Sequence, residues 1–118
     1  MNTKQIGDFG ENAAAEFLED NDYEILERNF RMKFGEIDII AEKDGCMVFV
    51  EVKTRRGNAF GEPSQYVDYR KQRHIRQTAS AYANIETTEM RFDVIEVFYG
   101  ENNSGYYVKK IGHIENAF

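Results

Sequence analysis

Apolar positions along the chain follow two rhythms. Ile6, Phe9, Gly10, Ala13 and Phe17 recur at helical spacing and predict a first helix from about Thr3 to Asn21. The period then shortens. The stretches at 23–30, 36–42 and 46–53 are rich in β-branched and apolar residues and read as three strands. Arg31 to Gly35 is expected to be a loop between the first two, and Lys43-Asp44-Gly45 a tight turn between the second and third. Arg55 to Pro63 reads as a long mobile loop, holding the only proline. A second helix is expected over residues 68–84, with Asp68 as its N-cap. Its stripe is Lys71, Ile75, Thr78, Tyr82 and Ile85, in which Lys71 either snorkels past the core edge or points inward. Met90 to Phe98 is a fourth strand, Gly100 to Gly105 a turn, and Tyr106 to Ile111 a fifth strand.

The predicted order is α-β-β-β-α-β-β. A helix between strands three and four permits a right-handed parallel crossover, so the expected fold is α/β, a mixed sheet flanked by helices. At 118 residues the chain is expected to form one domain, with a core that needs no disulfide. The lone Cys46, in an apolar run, reads as a buried small hydrophobe in a reducing compartment. His74 and His113 stand apart from each other and from Cys46, which argues against zinc. No apolar leader opens the sequence and no run approaches membrane-span length, so a cytoplasmic protein with no membrane partner is the expectation.

The net charge of −6 opposes a general nucleic-acid binder. Its distribution changes the picture. Residues 1–50 hold 12 acidic and 5 basic side chains, whereas residues 53–76 hold 7 basic and 2 acidic. The basic stretch begins at Lys53 and runs through Arg55, Arg56, Arg70, Lys71, Arg73 and Arg76. By itself such a stretch is more often a solvated surface than a binding site.

The candidate chemistry lies where the acidic half meets the basic one. Asp38 falls in the second strand, and Glu51 and Lys53 end the third. Alternation points Glu51 and Lys53 to one face and Val52 to the other. A hairpin brings Asp38 alongside. Two carboxylates suit a hard divalent cation such as Mg²⁺, and an adjacent lysine can steady developing negative charge or hold an attacking water. Glu-x-Lys alone is a weak signal, since any strand with a polar face produces it. The ordinary reading of Asp93 is a strand-face ion-pair partner near Arg91. That of His74 is a surface or helix-flank position, and that of Tyr66, Tyr69 and Tyr82 is packing.

These residues together resemble a known group. The element order, with Asp38, Glu51-Val52-Lys53 and an acidic residue in the first helix, is similar to the PD-(D/E)XK, restriction-endonuclease-like superfamily. Within it, Gly7-Asp8-Phe9-Gly10-Glu11, Asn29-Phe30-Arg31, Gly35-Glu36-Ile37-Asp38-Ile39-Ile40, Val50-Glu51-Val52-Lys53-Thr54-Arg55 and Arg91-Phe92-Asp93-Val94 resemble the bacterial, endonuclease-like YraN family. The arrangement is also similar to archaeal Holliday-junction resolvases. The resemblance implies that Asp38 and Glu51 ligate Mg²⁺ or Mn²⁺ with the Val52 carbonyl, and that Lys53 orients water and stabilises the phosphorane-like charge. It further implies that Glu11 adds a direct or water-mediated ligand from the first helix. Glu36 shares a strand face with Asp38 and is a candidate outer-shell ligand. Gln65 and Lys71 would contact phosphate; Arg55, Arg56 and Arg73, from the basic stretch, are the candidate nucleic-acid contacts. No proline precedes Asp38, a departure from the superfamily's pattern. The implied function is a metal-dependent endonuclease acting on DNA, in branched or single-stranded intermediates. Addressing two strands adds homodimerisation to the expectations. The competing reading is a non-catalytic nucleic-acid-binding or protein-interaction module on the same fold, motivated by the overall acidity.

Overall fold

The computed structural model describes residues 2–57, 67–84 and 88–118. Among them the elements are α1 (Thr3–Asp20), β1 (Glu24–Met32), β2 (Gly35–Lys43), β3 (Cys46–Arg56), α2 (Tyr69–Tyr82), β4 (Met90–Asn102) and β5 (Gly105–Ile114). The fold is α/β, in the expected order. The five strands lie in sequence order, β1-β2-β3-β4-β5. Only β3 and β4 run parallel, and α2 belongs to the crossover that this pairing requires.

Each helix covers one face of the sheet. Ala14, Ala15 and Leu18 of α1 pack with Ile39, Ala41, Val48, Val50, Ile95 and Val97. Ile75 and Ala79 of α2 pack with Ile37, Ile40, Phe49, Phe92 and Val94 on the other side. Phe49 stacks on Phe92 with ring centroids 5.4 Å apart. With both faces covered, the central strands are apolar at successive positions instead of alternating, as buried parallel strands must be.

The local chemistry of each terminus explains where the elements begin. Asn2 caps α1, accepting from the Gln5 N–H while the Gln5 side chain accepts from Asn2, both at 2.9 Å; such a box contributes about 1 kcal/mol. Asp68 caps α2 as expected, accepting the Lys71 N–H at 2.8 Å. Asp44 (φ 52°) and Gly45 (φ 79°) both take the left-handed conformation that a two-residue hairpin turn needs.

Several expectations shift. The buried line of α1 is Gly10-Ala14-Leu18, with Ile6, Phe9, Ala13 and Phe17 half-buried at its margins. Small residues are central because the helix lies close to β3: a Cβ at Gly10 would fall 2.9 Å from the Thr54 Cβ. The loop at 31–35 shrinks to Lys33 and Phe34, because ladder pairing runs to Met32↔Gly35. Arg55 and Arg56 belong to β3 and not to a loop, held by pairing with Phe98 and Tyr99. Gly100 lies inside β4: a Cβ there would stand 2.8 Å from the Tyr107 ring, so this glycine serves close approach and not a turn. The turn falls at Asn103-Ser104. Cys46 is half-buried, packed at the margin of the α1-side core. Residues 58–66 and Ile85, with the remainder of the expected loop, lie outside the described residues. None of the described helices is long and apolar enough to cross a membrane.

Candidate functional site

The site grows from a break in strand alternation. Ile37 packs in the α2-side core and Ile39 in the α1-side core, although two residues on one strand should share a face. The paired strand breaks with it. Arg28 reaches Asn12 of α1 at 2.8 Å, whereas Phe30 packs edge-on against Tyr82 of α2. Between them Asn29 takes φ 53°, which asparagine tolerates better than most residues. Arg28↔Ile39 and Phe30↔Ile37 are ladder partners, so the two strands switch face together.

Asp38 occupies the switch. The β2–β3 ladder ends at Ile39↔Val50, and Asp38 Oδ2 accepts the Val52 N–H at 2.8 Å. A side chain thereby does the work of a ladder carbonyl. This leaves the Asp38 carboxyl beside Glu51 on β3. Glu51 is only 6% exposed, on the face covered by α2. Lys71 reaches it from the first turn of α2, with Nζ 2.5 Å from Glu51 Oε1. Lys53 Nζ stands 3.7 Å from the same oxygen. A cavity of about 220 Å³ is lined by Gly35, Glu36, Asp38, Glu51, Lys71, His74 and Ile75.

The electrostatics follow from this crowding. Burial, then the charge of Glu51, pushes the Asp38 carboxyl up to about 7, against the opposing pull of the Val52 N–H. Burial and the neighbouring Lys71 ammonium lower Lys53. Burial would lower Lys71 too, but its bond to Glu51 and the charges of Glu51 and Asp38 outweigh that, so it is raised. Two carboxyls and two amines thus crowd together, and their neighbours' charges help to set those of Asp38, Lys53 and Lys71.

Glu11 approaches from α1. It is close enough for its charge to raise Asp38, and its own carboxyl is raised, chiefly by burial and against a bond from Asn29. Glu11 Oε1 is buried without a hydrogen-bond partner, with Arg28 Nη2 3.9 Å away. Among the described residues no three His, Cys, Asp or Glu side chains gather as a ready metal cluster. The structure therefore unites Asp38, Glu51, Lys53 and Lys71 and holds Glu11 just outside them.

The other expected residues separate. Val52 packs toward the α1-side core and donates its N–H to Asp38. Glu36 pairs with Arg31 at 2.8 Å. Arg55 is engaged by buried Glu96, Nε to Oε2 at 2.7 Å, an ion pair without the alignment of a hydrogen bond. Arg56 stands exposed near the Tyr99 ring, and Arg73 is exposed on α2. Gln65 lies outside the described residues. Asp93 is an ion-pair partner, as expected, but of Arg91 itself, and it is fully buried. It also bonds His113 Nε2 at 2.7 Å and the Asn116 N–H at 3.1 Å. His113 is thus partnered, not isolated.

Two participants escape a reading of the sequence. His74 is half-buried and lines the cavity, not the outer surface. Its position three residues after Lys71, on the same helical face, is the signal that marks it. Glu96 anchors Arg55, and only knowledge of the β3–β4 register reveals the pair.

The chain belongs to the YraN-like family described as Uncharacterised protein family UPF0102, whose model matches residues 10–97. It is 49% identical to a UPF0102 protein of Caldicellulosiruptor bescii, over the whole of both chains. A UPF0102 protein of Clostridium botulinum strain Loch Maree is also 49% identical, over 98% of this chain and 94% of the relative. A third, from Clostridioides difficile, is 46% identical over the full length of both.

Proposed function

We propose that this protein is a divalent-metal-dependent endonuclease of the PD-(D/E)XK type that hydrolyses DNA phosphodiester bonds. One observation carries the reading: Asp38 and Glu51 are held together beside a small cavity with Lys53 and Lys71 at hand, and burial, then the charge of Glu51, pushes Asp38 to about 7. Placing like charges together is costly unless a cation is to share them. The donors are all oxygen, which suits Mg²⁺ or Mn²⁺. The unpartnered Glu11 oxygen fits the same purpose.

In this reading Asp38 and Glu51 hold the metal, with the Val52 carbonyl and Glu11 as further donors. The metal, when bound, supplies positive charge beside the scissile phosphate and acidifies water. Lys53, lowered by its surroundings, orients the attacking water and stabilises charge on the phosphoryl oxygens. Lys71 holds Glu51 in place and lies where it can pass to a phosphate oxygen. Arg56 and Arg73 contribute phosphate contacts along the approach. Branched or single-stranded DNA as substrate, a homodimer that addresses two strands and a cytoplasmic location complete the proposal.

A second reading, a non-catalytic nucleic-acid-binding module, draws on the Lys71–Glu51 contact, which already neutralises one carboxylate. Calorimetric titration of Mg²⁺ and Mn²⁺ into wild type and Glu51→Ala, with cleavage of a labelled four-way junction and of single strands, separates the two. The endonuclease reading expects metal binding and cleavage to be lost together in the variant. Absence of metal binding in wild type sinks it and leaves the binding module.

A further inference from the structure

The β1–β2 hairpin ends in a feature that the fold does not require. Its turn residues are Lys33 and Phe34, where a two-residue hairpin usually carries Asn, Asp or Gly. Neither takes a positive φ. Phe34 is 44% exposed and the adjoining Met32 42%. Two large apolar side chains at a hairpin tip contribute little to a core and expose apolar surface to water. Lys33 between them pairs with no carboxylate among the described residues, whereas Arg31, which flanks them, is engaged by Glu36.

The tip is continuous with the site. Gly35 and Glu36 border both the open surface at the hairpin end and the cavity lined by Asp38 and Glu51. Gly35 is also where the hairpin meets α2: a Cβ there would touch His74 at 3.4 Å. Arg70 and Arg73 stand exposed on α2, which supplies the cavity's other wall.

Basic side chains interleaved with exposed apolar ones match a strand whose phosphates and base faces are both accessible. A duplex hides its base faces within the stack, so it leaves Phe34 and Met32 without a partner. A single strand, or an unpaired nucleotide at a branch, offers one. We infer that the Met32-Lys33-Phe34 tip is a base-stacking element that holds an unpaired nucleotide beside the site, Lys33 taking its phosphate. The inference rests on the endonuclease reading and assigns the element that selects its substrate: unpaired DNA next to the cleaved bond.

The test uses Glu51→Gln protein, so that cleavage does not interfere, and a short single-stranded oligonucleotide carrying 2-aminopurine, whose fluorescence responds to stacking. Binding is measured with Phe34 intact, with Phe34→Ala and with Phe34→Tyr, at several salt concentrations. Phe34→Ala is expected to weaken binding about tenfold and abolish the fluorescence response, with the salt slope unchanged, and Phe34→Tyr to restore both. Lys33→Ala is expected to lower the salt slope by about 1. Equal affinity and equal fluorescence in Phe34→Ala overturns the inference while leaving the endonuclease reading intact. So does equal loss on duplex and single strand, or a Phe34-dependent self-association in place of nucleic-acid binding. Failure of wild type to cleave or bind any DNA with metal present defeats the endonuclease reading, and this inference with it.

Discussion

Gly10→Ala tests how closely α1 is seated on the sheet, and with it the placement of Glu11. In an isolated helix the change should help, because alanine is favoured over glycine by about 1 kcal/mol. Here the added methyl would lie 1.8 Å from Thr54 Oγ1, 2.9 Å from its Cβ and 3.0 Å from its Cγ2. Rotating the Thr54 side chain relieves the first contact. It cannot relieve the second, because the Thr54 Cβ is fixed to the backbone of the central strand β3. The helix must therefore lift, thinning the contacts of Ala14 and Leu18 below it. Overpacking of this kind costs about 1–3 kcal/mol, beyond the propensity gain that it cancels. A net loss of about 2 kcal/mol is expected, or a fall of about 8 °C in Tm. Urea melts of wild type, Gly10→Ala, Thr54→Ala and the double variant make the measurement a cycle. The double variant should recover part of the loss, since it removes Oγ1 and Cγ2 but keeps Cβ. Stability equal to or above wild type in Gly10→Ala, with no coupling to Thr54, would refute the close seating.

Three further outcomes follow from the charges. Asp38 has a folded-state pKa raised from 3.8 to about 7, so the native state binds the proton more tightly and its contribution to stability declines as pH rises between those values. Asp38→Asn keeps an acceptor for the Val52 N–H and should be more stable than wild type at about pH 8, by about 1–2 kcal/mol, with the gain shrinking toward about pH 4 in denaturant titrations at each pH. Removing the neighbouring charge with Glu51→Gln should move the Asp38 carboxyl resonance to titrate at lower pH by NMR; an unmoved titration would remove Glu51 as a cause and leave burial and the more distant Glu11. Asp93→Ala removes the buried acceptor of Arg91, His113 and the Asn116 N–H, leaving Arg91 only Tyr23 and the exposed Glu115, and should cost about 2–3 kcal/mol of unfolding free energy in urea melts, whereas a loss under about 1 kcal/mol would contradict the buried pair.

The framework was legible in the sequence because its signals are local. Hydrophobic period, the Asp68 cap and the Asp44-Gly45 turn each act within a few residues, and each predicts what is found. Glu51 and Lys53 share a face because alternation on β3 holds there. Alternation fails at Asp38, where a side chain takes over a backbone bond, and no period announces such an exchange. Lys71 was ambiguous because a lysine on an apolar stripe is equally suited to solvent or to an anion, and the anion lies twenty residues away on another element. Arg55–Glu96 and Asp93–His113 were illegible for the same reason: each pair exists only through a strand register. Gly100 misled because glycine marks both turns and close contacts.

The one parallel pairing in the sheet also bears on how the molecule comes together. Hairpins β1–β2, β2–β3 and β4–β5 join neighbours in the chain, but every β3–β4 pair, from Met47↔Met90 to Arg56↔Tyr99, is 43 residues apart. Closing that seam carries most of the loop entropy and belongs late in folding. The N-terminal meander already carries Asp38, Glu51 and Lys53, but Lys71, the nearer cation to Glu51, arrives only with the helix that spans the seam. The Lys71–Glu51 contact thus gives the crossover helix an electrostatic reason to dock where it does, so the same ammonium that completes the pocket also ties the seam.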